Sequence, residues 1–380
     1  MSDRPAGQVW IILLIAVGLG ILAVGASALW VARHAGTPVE ANLGPWALRE
    51  THREVTGQQR ASRLAFVDRG RALAVMCPRY NKVLLYRVTA ADTLEVGAEI
   101  ALEGRPVAIA AAGDRVIALQ RPPGDDKHLG TGWWQAFSLD GRPAGGRVAS
   151  GFYPDDCAAS PDGRHLYVLS SGRAEGDARK PAPALEVFSL DGHDTGPTLL
   201  GRLEFDPEDD LDRLALSASG TRALAVLRRG GRALAIDVAE PEAPRLVGPV
   251  ALNPTEAPHA SLSDDGDWIV MPPSPEAEAV GLPAPATRPG VSPGGGVGYI
   301  AYLRPDDSAL EIVQASPRLP VGQFPIRGPF NLGGTRPSGL AACPGRGLLA
   351  VATKPGTVHL IAIQSRLVQI SGPPGNRLLR

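Results

Sequence analysis

Residues 157–170 read CAASPDGRHLYVLS: a short apolar stretch, a Ser-Pro-Asp-Gly turn ending at Gly163, and a second apolar stretch. Ser, Pro, Asp and Gly are the residues that tight turns prefer, and short apolar runs on either side of a turn are typical of strands. A third apolar run, ALEVFSL, follows from Ala184. This part of the chain therefore predicts consecutive antiparallel strands.

The same unit recurs along the chain. Six copies are recognisable by their turn glycines, which are Gly70, Gly113, Gly163, Gly220, Gly266 and Gly345. The steps between these glycines are 43, 50, 57, 46 and 79 residues. A period of about 45 residues with about four strands per unit predicts an all-β fold of the β-propeller type, because each sheet can bury its faces only against its neighbours.

The last step is long because of residues Pro272–Gly298, 27 residues of which seven are Pro and six are Gly. We predict neither strand nor helix in this excursion. Without it the step falls to 52 residues, which matches the others. Six blades are favoured, and seven are possible because Tyr299–Leu303 and Leu310–Ala315 both have the pattern of strands.

Further strands are expected at regular places in the units. Third strands are predicted from Lys82, Trp133, Ala184, Ala233 and Thr357, and fourth strands at Glu95–Leu102 and Leu199–Phe205. The stretch Ala47–Val55 precedes the first unit and is a candidate outer strand for the last blade, which would close the ring. The terminal RLVQI from Arg366 is the competing candidate.

The unit centred on Ser160-Pro161-Asp162-Gly163 resembles the WD40-like and YVTN-type propeller repeats of bacteria. The resemblance extends over roughly residues 60–365 and is good at this unit alone; others, such as Ser263-Asp264-Asp265-Gly266, keep only the Ser and the Gly. It implies a fold, not an activity, because such propellers are mostly binding modules and in a minority of cases enzymes.

An apolar segment precedes the repeats. Residues 9–31 carry no charge and are long enough to cross a hydrocarbon core of about 30 Å as a helix, with Trp10 and Trp30 at the two interfaces. A cleaved signal peptide is the alternative, since Ala26-Ser27-Ala28 resembles a cleavage site. The expected domains are a tail at 1–8, the transmembrane helix at 9–31, a linker at 32–46, the propeller at 47–370 and a tail at 371–380.

Basic residues flank the apolar segment on both sides, so their count does not decide the orientation. A very short leading tail usually stays in the cytoplasm. We therefore expect a single-pass protein of the bacterial inner membrane with its propeller on the periplasmic side.

Composition restricts the function classes. Gly 45 and Pro 36 make up about a fifth of the chain, which favours many short strands. The net charge of −1 lacks the basic excess of proteins that bind a nucleic-acid backbone, so no nucleic-acid partner is expected. The three cysteines, Cys77, Cys157 and Cys343, show no ligand spacing and are predicted to be buried and unpaired.

Counting back seven residues from each turn glycine reaches the innermost strand, where it opens onto the central channel. The channel-mouth residues predicted in this way, together with their neighbours, are Arg63, Arg105, Pro106, Asp155, Asp156, Asp212, Arg213, His259, Arg336 and Ser338. This ring of mixed charge suits a small polar or anionic ligand, or general acid/base chemistry. The alternative interpretation is that the alternating charges only keep the protein soluble.

Two acidic stretches precede innermost strands. Glu208-Asp209-Asp210, with Asp212, and the pair Asp155-Asp156 could converge on a hard cation, but we favour solvated turn acids and predict no metal site. No catalytic motif occurs, so we assign no catalytic residue and no cofactor.

A loop in the second unit is the favoured contact for a partner. Residues 122–132 read PPGDDKHLGTG and lead into Trp133-Trp134, so Asp125, Asp126, His128 and the two tryptophans are candidate contact residues. Alternation along the strand would bury one tryptophan and expose the other; in the competing interpretation Trp134 packs between blades and Trp133 covers the loop.

These features favour a membrane-anchored, non-catalytic interaction or assembly subunit of a membrane-associated complex. The alternative is a propeller hydrolase of the lactonase type with its site at the channel mouth. The bilayer and a protein are the expected partners.

Overall fold

The computed structural model describes residues 40–43, 46–56, 61–123, 130–172, 181–191, 196–217, 219–228, 232–251, 261–262, 269–270, 279–283, 297–304, 309–314, 319–325, 336–354 and 356–365. The predicted membrane segment at 9–31 and both predicted tails lie outside these ranges. In the ranges themselves, no helix has the length and apolar character needed to cross a membrane.

The described chain consists of short antiparallel strands with three single-turn 3₁₀ helices at Asp68–Gly70, Pro78–Tyr80 and Pro344–Arg346. The strands are β1 Glu40–Leu43, β2 Trp46–Val55, β3 Arg63–Val67, β4 Ala72–Cys77, β5 Lys82–Val88, β6 Leu94–Ala101, β7 Arg105–Ala112, β8 Arg115–Arg121, β9 Thr131–Phe137, β10 Val148–Phe152, β11 Pro154–Ala159, β12 His165–Ser170, β13 Ala184–Ser189, β14 Thr198–Glu204, β15 Leu211–Leu216, β16 Arg222–Leu227, β17 Arg232–Asp237, β18 Arg245–Ala251, β19 Ser261–Leu262, β20 Ile269–Val270, β21 Ala279–Pro283, β22 Val297–Arg304, β23 Ala309–Gln314, β24 Leu319–Pro325, β25 Arg336–Cys343, β26 Leu348–Lys354 and β27 Thr357–Ser365.

The strands group into sheets that follow the chain. Over the described residues, five sheets have four strands each: β3–β6, β7–β10, β11–β14, β15–β18 and β21–β24. Strands β19 and β20 pair with each other, and a five-stranded sheet has the order β1-β2-β27-β26-β25. The first strands of successive sheets are neighbours, from β3 through β7, β11, β15, β19, β21 and β25 back to β3. This closed circuit confirms the predicted all-β, propeller-like architecture.

The hairpin turns explain the repeated glycine. At the Ser160 turn, Gly163 has φ of +73° and its N–H donates to the Ser160 carbonyl at 2.8 Å, while the Ser160 hydroxyl accepts from the His165 N–H at 2.9 Å. Gly220 repeats this geometry with the same φ, and the Ser217 hydroxyl accepts from the Arg222 N–H at 3.0 Å. Glycine takes this left-handed conformation without the steric cost that a Cβ brings, so the Ser and Gly are retained where the intervening residues vary.

The apolar cores lie between the sheets. Leu119 and Trp134 of the second sheet pack with Leu166 and Phe188 of the third, and Trp134 meets Phe188 edge-on at 5.6 Å between ring centroids. Similar clusters join the first sheet to the second, the third to the fourth, and the last to the first. Each fully buried large apolar side chain stabilises the fold by roughly 1.5–3 kcal/mol, so each sheet depends on its neighbours.

The ring is closed by a strand from the beginning of the described chain. Strand β2 pairs antiparallel with β27 from Trp46↔Ser365 to Val55↔Thr357. The prediction that Ala47–Val55 supplies this outer strand is confirmed; the competing stretch from Arg366 lies outside the described ranges. Strand β1 then pairs with β2, so sheet structure begins inside the predicted linker 32–46.

The predicted third strands coincide with β5, β9, β13, β17 and β27, and the predicted fourth strands with β6 and β14. All three cysteines are buried and free, as predicted. The excursion Pro272–Gly298 was predicted to lack strands, and this is wrong, because β21 lies within it and pairs with β22. The stretches Tyr299–Leu303 and Leu310–Ala315 lie largely in β22 and β23 of the same sheet.

Candidate functional site

A cavity of about 270 Å³ opens where several innermost strands begin. It is lined by Ser62, Arg63, Met76, Pro78, Arg105, Pro106, Val107, Arg121, Asp155, Asp212, Arg213, Arg228 and Ser338. These residues come from the starts of β3, β7, β11, β15 and β25 and from the ends of β4, β8 and β16. Antiparallel pairing explains this composition, because the end of each second strand lies beside the start of the first.

The structure brings most of the predicted channel-mouth residues together in this cavity. Asp156 differs from the prediction, because it is buried beneath the lining with 2% of its surface exposed. His259 lies outside the described residues. Arg336 is the first residue of β25, at the corresponding position of the last sheet.

Asp155 is a buried carboxylate that holds two arginines. Its Oδ1 accepts from Arg121 Nη2 at 2.7 Å and lies 3.5 Å from Arg228 Nη2, and its Oδ2 accepts from the Ser171 N–H at 3.1 Å. Burial raises the pKa of Asp155, and the two guanidinium groups oppose that change. The carboxylate therefore positions the two arginines, and both of its oxygens accept hydrogen bonds.

Arg121 is fixed from several sides. Its Nε donates to the Pro154 carbonyl at 2.7 Å, and its guanidinium lies over the Tyr153 ring, 3.6 Å from the centroid. Tyr153 has φ of +57°, a conformation that costs a non-glycine residue about 1–3 kcal/mol. The surrounding contacts hold that strained backbone in place beside the cavity.

Asp156 joins three sheets. Its Oδ1 lies 3.3 Å from Arg63 Nη1 of the first sheet and accepts from the Cys157 N–H at 2.9 Å, and its Oδ2 accepts from the Leu214 N–H of the fourth sheet at 3.0 Å. Burial raises the pKa of Asp156, and Arg63 opposes it. Asp156 thus fixes Arg63 from below, and it does not face the cavity.

The fourth sheet contributes a linked group of charges. Arg228 Nη2 contacts Asp212 Oδ1 at 2.5 Å, and its Nε lies 3.9 Å from Asp210 Oδ1. The closest approach of Arg213 to Asp212 is 3.9 Å, between Nε and Oδ2. Arg228 therefore lies between Asp155 and Asp212. Its guanidinium takes the position between these acids that the sequence suggested for a bound cation. In the described part of the chain, no group of three or more His, Cys, Asp or Glu side chains is arranged to hold a metal ion.

Sequence reasoning missed Arg121 and Arg228 because it counted from each turn glycine in one direction only. A signal for both exists. Arg105 and Arg121 lie eight residues before and after Gly113, and Asp212 and Arg228 lie eight residues before and after Gly220. Arg105 faces Arg121 across the β7–β8 pair, and Arg228 directly follows Leu227, which faces Leu211. Counting in both directions from the turn would therefore have found both arginines.

The predicted partner loop is only partly described. Asp125, Asp126 and His128 lie outside the described residues. Trp134 is 1% exposed in the core between the second and third sheets, so it is not available for surface contact. Trp133 is half-buried, with the Arg147 guanidinium 5.3 Å from its ring centroid. The competing interpretation, in which Trp134 packs between blades, matches the structure.

Comparison with known proteins identifies the class of fold. The β-propeller domain of Cps50 (Swd1) from Myceliophteria thermophila superposes with a TM-score of 0.54 at 11% identity, covering 81% of this chain and 98% of that domain. Hydrazine synthase from Kuenenia stuttgartiensis gives a TM-score of 0.53 at 13% identity, covering 86% of this chain and 97% of that one. The chain therefore has a β-propeller fold. No protein-family model and no curated protein sequence matches it.

Proposed function

We propose that this chain is a non-catalytic interaction subunit of a membrane-associated complex in a bacterium. Residues 9–31 anchor it in the inner membrane, and the propeller lies on the periplasmic side. The propeller has seven blades. Strands β19 and β20 belong to one of these blades, because the pair lies between β15 and β21 in the circuit of innermost strands. The apolar run with its two flanking tryptophans supports the anchor.

The observation that carries this proposal is the state of the carboxylates at the channel mouth. Asp155, Asp156 and Asp212 each contact at least one arginine, and the first two also accept backbone N–H groups. A general base needs a free lone pair within reach of the substrate proton. Asp155 and Asp156 accept hydrogen bonds on both oxygens and hold arginines that line the cavity, an arrangement that suits binding of an anion.

Purification of the full chain in mild detergent tests the proposal. We expect a partner protein to co-purify in stoichiometric amount. A monomer that binds no partner and hydrolyses lactones would contradict the proposal and support the enzyme alternative.

The loop at residues 125–129 is the proposed partner contact outside the cavity. Replacing it with a short Gly-Ser turn should weaken recovery of the partner and leave the fold intact. Only these five residues are exchanged, because the Gly130 carbonyl accepts from the Tyr153 N–H and β9 begins at Thr131. The matched control is the same replacement at residues 174–179 of the third unit, which should leave recovery unchanged. Equal recovery from both variants would contradict a role for this loop.

The topology is tested separately. Alkaline phosphatase fused after residue 60 should be active, because the enzyme needs the oxidising periplasm. An inactive fusion, with a cytoplasmic reporter active at the same point, would reverse the orientation.

A further inference from the structure

We propose that the channel-mouth cavity binds a carboxylate group and that Arg213 is its main contact. The inference rests on the proposed function, because an acidic side chain or the carboxyl terminus of the partner protein would supply the carboxylate group. A free small carboxylate is the other source of the same chemistry.

The side chain of Arg213 lines the cavity. Among the described residues, the carboxylate nearest to its guanidinium is Asp212, whose Oδ2 lies 3.9 Å from Nε, and about a quarter of the Arg213 side chain is exposed. Within the described chain, no oxygen accepts a hydrogen bond from its two terminal amino groups. A guanidinium with both terminal groups free can take a carboxylate in a bidentate pair.

The surrounding cations are held before any ligand arrives. Arg121 and Arg228 share the Asp155 carboxylate, and Arg63 is held by buried Asp156. Fixed charges lose little conformational entropy on binding, which favours affinity. They also concentrate anions near the opening, because a concave site lined by one predominant sign of charge focuses its field.

The size and charge of the cavity favour a carboxylate over a phosphate. About 270 Å³ accommodates one side-chain-sized group. Asp155 and Asp212 line the same cavity and would repel a phosphate, which carries up to two charges on one group, more strongly than a single carboxylate group, which carries one. Arginine pairs with both anions, so the two neighbouring acids decide the preference.

Isothermal titration of the full chain in detergent tests the proposal. The probes are succinate, the tripeptide acetyl-Glu-Glu-Glu-amide, its glutamine analogue and inorganic phosphate. The variants are Arg213→Gln, Arg213→Lys, which keeps the charge without the fork, and Arg222→Gln as a matched control. Arg222 lies at the other end of the same sheet and pairs with Asp237 at 3.4 Å.

We expect succinate or the glutamate peptide to bind, with affinity about tenfold lower in Arg213→Gln, intermediate in Arg213→Lys and unchanged in Arg222→Gln. Tighter binding of the peptide than of succinate identifies a protein carboxylate; the reverse identifies a small free one. Equal affinity in wild type and Arg213→Gln, equal binding of the glutamine peptide, or tighter binding of phosphate would overturn the proposal. Arg213→Gln should unfold at the same denaturant concentration as Arg222→Gln, which separates binding from folding.

The two proposals fail in different ways. If no partner co-purifies but carboxylate binding depends on Arg213, the interaction role fails and the site stands. If Arg213→Gln recovers a partner normally and no carboxylate binds, the site fails and the interaction role stands.

Discussion

At the scale of single residues, Asp156 shows how a buried charge organises the centre of the ring. It contacts Arg63, the Leu214 N–H and the Cys157 N–H, which belong to three different sheets. A buried charge left without its partner is costly, so removing one member of such a set is more damaging than neutralising it in place.

We therefore expect Asp156→Ala to lower the free energy of unfolding by about 3–5 kcal/mol, because Arg63 and the Leu214 N–H lose their acceptor. Asp156→Asn keeps an acceptor oxygen and should cost clearly less. The measurement is urea unfolding of the full chain in detergent, followed by near-ultraviolet circular dichroism.

Asp237→Ala is the control for this series, since Asp237 forms a half-exposed pair with Arg222 and should change stability by less than about 1 kcal/mol. Similar losses for Asp156→Ala and Asp237→Ala would show that Asp156 does not hold the sheets together.

At the scale of elements, strand β2 is attached to β27 by a buried polar cluster. Glu50 Oε1 lies 2.7 Å from His359 Nδ1, and Arg53 donates to both Glu50 oxygens at 2.9 and 2.8 Å. Burial lowers the pKa of His359, so its imidazole is neutral at pH 7 and donates through Nδ1, while Arg53 supplies the positive charge. Burial raises the pKa of Glu50, but the bonds from His359 and Arg53 outweigh it and hold the pKa at about 2.

A pKa of about 2 in the fold, against 4.5 ordinarily, makes the ionised Glu50 stabilising above pH 4.5 by about 3 kcal/mol. This contribution is lost as the pH falls from 4.5 through 2. Glu50→Gln should therefore be less stable than wild type at pH 6, and the difference should shrink as the pH falls toward 3. Denaturant unfolding at each pH measures it.

Glu95→Gln provides the comparison, because Glu95 pairs with Arg87 on an exposed strand and its substitution should change stability at pH 6 by less than about 1 kcal/mol. A constant stability gap between wild type and Glu50→Gln from pH 6 to pH 3 would contradict the proposed linkage.

At the scale of the whole molecule, three features close the ring where its last sheet meets its first sheet. Strand β2 completes the last sheet. The Arg346 guanidinium, on the turn after β25, donates to the Gly70 and Thr89 carbonyls at 2.8 Å each and to Asp92 at 2.7 Å on the first sheet. The apolar cluster of β26 and β27 against β4 lies between these contacts.

Removing residues 1–38 should leave a strand-rich domain with cooperative thermal unfolding, since β1 and β2 remain. Removing residues 1–56 takes away β2, exposes the β27 edge and leaves His359 without Glu50, so the unfolding midpoint should fall by more than about 10 °C or the transition should lose cooperativity. Far-ultraviolet circular dichroism follows both.

Two results would contradict this account. Helix content above about a quarter in the shorter truncation would exclude the propeller, since ordinary globular proteins contain about a third helix. Equal midpoints for the two truncations would show that β2 does not close the ring.

The amino-acid sequence alone determined the repeating unit and most of its strands, with β21 as an exception. The turns at Gly163 and Gly220 are specified locally, because the Ser160 and Ser217 hydroxyls bond within their turns and both glycines adopt positive φ. Counting strands showed that the last unit lacks an outer strand and gave two candidates for it, Ala47–Val55 and the stretch from Arg366; the pairing of β2 with β27 assigned the role to Ala47–Val55.

Only the tertiary structure decided which side chains are buried and which of them form ion pairs. Asp155 and Asp156 are adjacent in sequence, yet one lines the cavity and the other is buried under it, and Trp134 is in the core while Trp133 lies beneath Arg147. Arg121 and Arg228 belong to different sheets and meet only at Asp155. Counting from each turn places residues at the channel mouth, because strand periodicity depends on neighbours in the chain. Which of these side chains is buried and which ion pairs form depends on how separate sheets twist and converge.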